Sequence, residues 1–181
     1  MGEPPLLDRI WNGWRAEYVA SAGAFVAGAS GAGETTSVFT RLLESGLDDE
    51  ELHIVRRTER CFAVLNAFPY APGHVLVLPY REVADLEDLD ADEVAELWSV
   101  VSEAVAAVKA AYAPDGLNVG LNLGRAAGGS VAQHLHVHVV PRWVGDSNFM
   151  TALANARTIP EALDRSAQRL REAWPGSGAD D

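Results

Sequence analysis

Three of the chain's five histidines, His134, His136 and His138, stand at every second position of Q-H-L-H-V-H-V-V-P-R-W, residues 133–143. They alternate with Leu135, Val137 and Val139. On a β-strand successive side chains point to opposite faces, so this spacing predicts three imidazoles on one side and the apolar residues toward the core. An imidazole titrates near neutral pH and can act as nucleophile, proton carrier or metal ligand. Three readings of the row stay open at this point. It could be a satisfied structural stripe. It could bind zinc or iron, since two histidines at i and i+2 on a strand can share one ion, given a further His or carboxylate. His53 and His74 are the only other histidines, and no carboxylate lies near the row in sequence. Or a neutral imidazole could attack phosphorus while its neighbours stabilise the developing charge and the leaving group. The loop G-R-A-A-G-G-S, residues 124–130, directly precedes the row. Its backbone N–H groups at Gly128, Gly129 and Ser130 suit an anion nest as well as an ordinary turn.

The elements that must position these groups follow from local pattern. Residues 37–45 suit a short helix. Residues 53–58 and 61–67 suit two strands joined by a tight turn, residues 69–73 a Pro/Gly turn, and residues 74–80 a third strand. Asp90 and Glu93 form a capping-box signature for a long helix reaching about Tyr112. Val94, Leu97, Trp98, Val101, Val105 and Val108 give it an apolar face at i, i+3, i+4, i+7 spacing. Pro114 and Gly116 mark its end. Residues 117–123 alternate as a fourth strand. Residues 133–140 are expected as a fifth strand, stopped by Pro141, and residues 160–174 as a final amphipathic helix. Short connections favour antiparallel pairing. The expected fold is α+β: a five-stranded antiparallel sheet with helices packed mainly on one face, leaving an open face for a ligand.

The chain has 181 residues, 48% of them hydrophobic, which suits one domain with a sizeable core. Residues 1–35 are expected as an N-terminal arm, carrying Trp11, Trp14 and Tyr18, and a flexible Gly/Ala/Ser-rich loop. Residues 36–174 are expected as a single catalytic domain and 175–181 as a disordered tail. A net charge of −12 argues against a nucleic-acid partner. Lys109 is the only lysine among the basic residues. No apolar run approaches the roughly 18 residues of a membrane span, and the N-terminus lacks a signal-peptide pattern, so a cytoplasmic location is expected. A single cysteine, Cys61, excludes an internal disulfide and is expected to be an inert core residue.

H-L-H-V-H-V-V matches the His-φ-His-φ-His-φ-φ signature of the histidine triad (HIT) family, where φ is apolar. C-F-A-V-L-N-A-F-P-Y-A-P-G-H-V-L-V-L-P-Y-R, residues 61–81, resembles that family's strand–turn–strand segment, and residues 121–133 resemble its substrate loop. The segments R-I-W-N-G-W-R-A-E-Y-V and P-R-W-V-G-D-S-N-F-M resemble the actinobacterial branch that includes diadenosine tetraphosphate (Ap4A) phosphorylases. The resemblance implies a HIT-like homodimer or higher homo-oligomer acting at the α-phosphate of an adenine nucleotide or dinucleoside polyphosphate. Phosphate or water would be the acceptor, with no cofactor and no catalytic metal. His136 would be the nucleophile, His138 the phosphate-side group and His134 a supporting group. Asn66 matches a ribose-binding position, Asn122 a phosphate-side position, and Gly129 and Ser130 the phosphate loop; Gln133 could reach the α-phosphate. His74, after Pro72-Gly73, is expected to order the fold more than to act in chemistry. In one place the chain departs from the branch. Where its relatives carry C-x-x-C ahead of the first strand, this chain has Ser37 and Thr40, and hydroxyls are poor zinc ligands beside thiolates. A structural zinc is therefore not expected. The alternatives are an adenylyl sulfate or phosphoramidate transferase or hydrolase, or a non-catalytic nucleotide-binding module.

Overall fold

The computed structural model describes residues 36–127, 131–146 and 161–176. Its elements run α1 (Val38–Glu44), β1 (Ile54–Arg57), β2 (Cys61–Leu65), β3 (Val75–Pro79), α2 (Ala91–Tyr112), β4 (Gly116–Leu121), β5 (Val137–Arg142) and α3 (Leu163–Ala173). Among the described residues, single-turn 3-10 helices lie at Leu86–Asp88 and Arg125–Ala127. The five strands form one antiparallel sheet in the order β1-β2-β3-β5-β4. All these elements belong to the larger of two compact units, residues 36–143 with 159–181. Of the smaller unit, Val144, Gly145 and Asp146 are described. The arm with Trp11, Trp14 and Tyr18, loop residues Gly129 and Ser130, and residues 177–181 lie outside the described residues.

The register sorts the sheet's side chains into two faces. Phe62 pairs with Leu78, Val64 with Leu76, and Leu76 with His138. Directly paired residues share a face. Phe62, Val64, Leu76 and Leu78 join Ile54 and Phe39 of α1 in one apolar cluster. Alternation then assigns Cys61, Ala63, Val75, Val77, Val137 and Val139 to the opposite face, under α2. Both faces of β2 and β3 are thus buried, which is why these strands read as continuous apolar runs. On the face away from α2, α1 adds Phe39 to the cluster, with Val38, Leu42, Leu43 and Leu52 packed against it.

Helix α2 begins as its sequence predicts. Asp90 Oδ1 accepts from Glu93 N–H at 2.8 Å, and Glu93 Oε2 accepts from Asp90 N–H at 2.9 Å, satisfying two otherwise unpaired donors. Arg81 also grips the Glu93 carboxylate, tying the helix start to the end of β3. The helix ends at Tyr112 and is capped by Ala113, which takes the left-handed conformation (φ 44°) just before Pro114. Its buried face is centred on Leu97, Val100, Val101, Ala104, Ala107 and Val108. Trp98, expected on that face, is 39% exposed. Ala104 and Ala107 are fully buried in its place, so the buried stripe runs through Val100, Ala104 and Ala107 and not through Trp98.

Strand β5 also departs from expectation at both ends. It starts at Val137 rather than residue 133, because Leu135 N–H donates to Val83 O at 2.7 Å instead of to a strand partner. It continues through Pro141 to Arg142. There β5 has outrun β3 and pairs only with β4, Leu117 facing Pro141, so a missing N–H is tolerated. Cys61 is fully buried, and burial pushes its thiol up to about 12, in keeping with an inert core residue.

Candidate active site

Only His138 of the histidine row lies within β5, yet the three rings stay close, His134 and His136 both against Phe39 and His136 against His138. Phe39 meets His134 edge-on at 5.5 Å and His136 at 5.3 Å between ring centres. His136 and His138 are 5.0 Å apart. The row runs from deep to shallow: His134 is fully buried, His136 is 7% exposed, and His138 is partly open.

Hydrogen bonds assign a tautomer to each ring. The Pro79 carbonyl lies 2.9 Å from His134 Nε2 and can only accept, so Nε2 carries the proton. His134 Nδ1 then accepts from the Ser37 hydroxyl at 2.7 Å. His136 Nδ1 lies 2.8 Å from the His134 carbonyl and must donate to it. The lone pair of His136 is therefore on Nε2, which has no hydrogen-bond partner among the described residues.

A second line of bonds reaches His138. Tyr70 N–H donates to His74 Nδ1 at 3.1 Å, so His74 carries its proton on Nε2 and gives it to His138 Nδ1 at 3.0 Å. His138 Nε2 is left as an N–H donor facing the Asn122 carboxamide, 3.4 Å away. The carboxamide oxygen suits that position better than its nitrogen, since two donors cannot satisfy each other. Tyr70, 52% exposed, lies nearly parallel to the His138 ring at 6.1 Å, with 15° between planes.

Burial holds all three imidazoles of the row below the ordinary histidine range. For His138, burial and then the neighbouring His136 bring the value down to about 4. For His134 and His136, hydrogen bonds to the Pro79 and His134 carbonyls partly oppose burial. Near neutral pH the row is uncharged, and a neutral imidazole is the nucleophilic form.

His134, His136, His138 and Asn122 lie together in the structure. Gln133 is exposed beside the row. Asn66 is used within its own turn: Oδ1 accepts from Phe68 N–H at 3.0 Å, and Nδ2 lies 3.3 Å from His74 Nδ1. His74, expected chiefly as a fold residue, is fully buried and directly bonded to His138. Tyr70 and Glu82 were not singled out from sequence. Tyr70 had a signal, its place in the Pro-flanked turn before His74; Glu82 had none. His53 is remote from this group and pairs with Asp164 at 2.6 Å. No cluster of three or more His, Cys, Asp or Glu suited to a metal occurs among the described residues.

The HIT domain model matches residues 49–144, slightly more than half of the chain, and spans the whole histidine row. The chain belongs to the HIT family. A Mycobacterium tuberculosis protein named AP-4-A phosphorylase is 42% identical to this HIT chain over 174 residues, covering 96% of this chain and 88% of that protein. Among solved structures, a Hit-like protein of Bartonella henselae superposes with a TM-score of 0.64 at 29% identity, covering 79% of this chain and 99% of the other. A zinc-bound histidine triad family protein of Mycobacterium smegmatis superposes with a TM-score of 0.62 at 29% identity, covering 76% and 92%.

Proposed function

We propose that this HIT enzyme is a nucleotidyl transferase or hydrolase acting at the α-phosphorus of an adenine nucleotide, with Ap4A as the substrate class. The observation that carries the reading is the His136 tautomer: Nδ1–H is bonded to the His134 carbonyl and the Nε2 lone pair is left for attack. His136 Nε2 forms a bond to phosphorus as the bond to the leaving polyphosphate oxygen breaks, and the electron pair departs with that oxygen. From Ap4A this step releases ATP and leaves adenylyl-histidine. Phosphate then breaks the N–P bond to give ADP, or water gives AMP. His138, with Nε2–H presented by the His74–His138 chain, donates to a phosphate oxygen where negative charge accumulates. Asn122, Gln133, Gly129 and Ser130 are assigned to the phosphate side and Asn66 to the ribose side. The similarity to the mycobacterial phosphorylase favours phosphate as acceptor.

The catalytic domain is assigned to residues 36–174, with the arm at residues 1–35 outside it. The acidic net charge supports small nucleotides over nucleic acid as partners. The cytoplasm is assigned as the place of action; no helix among the described residues is long and apolar enough to cross a membrane. A homodimer is supported by edge strand β4, whose Val119 is 42% exposed. Light scattering at micromolar concentration checks this, and a monomer would exclude it.

Incubation with Ap4A, with and without phosphate, followed by chromatography, tests the reaction. ADP plus ATP only when phosphate is present supports phosphorolysis. AMP plus ATP regardless of phosphate assigns hydrolysis. No turnover of Ap4A overturns the substrate class and directs assay to adenylyl sulfate and phosphoramidates.

A further inference from the structure

We propose that Ser37, Thr40 and Glu82 form a metal-free hydrogen-bonded clamp that positions His134 and, through the His134 carbonyl, sets the tautomer of His136. This rests on the reading of His136 as nucleophile. Two of its residues, Ser37 and Thr40, stand where the resemblance implies a cysteine pair, and the donors of the cluster do not fit a zinc ion. Ser37 Oγ and His134 Nδ1 are 2.7 Å apart. Tetrahedral bonds of roughly 2.0–2.2 Å would hold two ligand atoms about 3.4 Å apart, and neutral hydroxyls replace thiolates. The four groups instead satisfy one another.

Each proton in the cluster has one destination. The Glu82 carboxylate accepts from Ser37 N–H at 2.9 Å and from the Thr40 hydroxyl at 2.7 Å. Ser37 Oγ accepts from Thr40 N–H at 3.1 Å and gives its own proton to His134 Nδ1. The two hydroxyls also approach to 3.1 Å, but both protons are already committed elsewhere. His134 Nε2–H goes to Pro79 O, and Leu135 N–H to Val83 O. The ring and the following amide of His134 are therefore held from α1, from the end of β3 and from the segment after it. What remains is the His134 carbonyl, aimed at His136 Nδ1. Ser37 is both the N-cap of α1 and the hydroxyl bonded to His134, so one side chain links helix α1 to the ring that precedes the nucleophile. These are positioning residues; none of them needs to touch substrate.

The test uses the full chain with Ap4A as substrate. Ser37→Ala is expected to lower kcat about tenfold, the loss that fits one buried hydrogen bond, with KM little changed. Ser37→Thr restores the hydroxyl and is expected to recover most of kcat. Nitrogen NMR of the imidazoles in the unmodified protein is expected to show His134 protonated on Nε2 and His136 on Nδ1, with His136 becoming a mixture of tautomers in Ser37→Ala. Stoichiometric zinc should leave the His134 Nδ1 signal unmoved. Unchanged kcat in a folded Ser37→Ala, alongside an inactive His136→Asn, overturns the clamp but keeps the nucleophile. Full turnover by His136→Asn overturns the underlying reading. If Ser37→Ala does not fold, the NMR arm still decides: the opposite tautomer at either ring, or a zinc-induced shift at His134, sinks the proposal.

Discussion

Against α2 the sheet presents Cys61, Ala63, Val75, Val77, Val137 and Val139, all fully buried, facing a helix stripe built from Leu97, Val101, Ala104 and Val108. On the other face Phe62, Val64, Leu76 and Leu78 give way, one strand over, to His138 and the rings beside it. Strand β5 contributes to both. The apolar face depends on volume, because dispersion and water exclusion have no direction. The histidine face depends on direction. A buried ring nitrogen without its partner costs more than the bond gains, so each proton must have a fixed destination. Substitutions on the first face should change stability and spare chemistry; on the second the order should reverse.

The largest separation is expected at His136. His136→Asn should reduce turnover by at least about 10⁴-fold while thermal melting and nucleotide binding persist. Next is Leu97→Ala, fully buried on the α2 face. It should lower stability by about 2–5 kcal/mol in urea denaturation, with kcat per folded molecule nearly unchanged. A large fall in kcat for this variant would erase the distinction between the faces.

Acid should act through the histidine face. Because folding lowers the His138 pKa from 6.5 to about 4, the unfolded chain takes up the proton first. The stability contribution is complete above pH 6.5 and is lost as pH falls toward 4, by up to about 3 kcal/mol. Urea denaturation at pH 7 and pH 4.5 should show a smaller pH dependence in His138→Asn than in the unmodified protein.

The smallest effect is expected at Gly73, which joins the two faces. Its φ is 74°, and an added Cβ would lie 2.5 Å from Cε2 of Tyr112 at the end of α2. Gly73→Ala should destabilise by roughly 1–3 kcal/mol. It should also lower kcat, because His74 follows directly and orients His138; loss of stability with unchanged kcat would separate the turn from the site.

What could be read from the sequence divides along the same line. The capping box at Asp90 and Glu93, the run of α2 and the existence of the five strands are legible from local pattern, though β2 and β3 read as continuous apolar runs and the ends of β5 differ. So was the histidine row, because alternation is itself a local pattern. The buried stripe of α2 differs from the apolar pattern because Ala104 and Ala107, weak signals by type, are buried while Trp98, a strong one, is exposed. The polar connections were illegible for a different reason. Ser37 and His134 are 97 residues apart, His74 and His138 64 residues apart, and Glu82 lies in an unremarkable segment. No spacing rule links such residues; the sheet order β3-β5 brings His74 to His138, and the α1 cap brings Ser37 to His134.

The uncharged state of the row has a consequence for substrate entry. A polyphosphate entering beside His138 brings negative charge next to an imidazole kept neutral by burial and by His136. Opposite charge favours the protonated ring, so binding should draw a proton from solution at mildly acidic pH. The substrate would then induce part of the positive charge that stabilises it, and the site would be most cationic only when filled. Calorimetric binding enthalpies should consequently vary with the ionisation heat of the buffer at pH 5.5 and converge at pH 8, where the proton is no longer taken up.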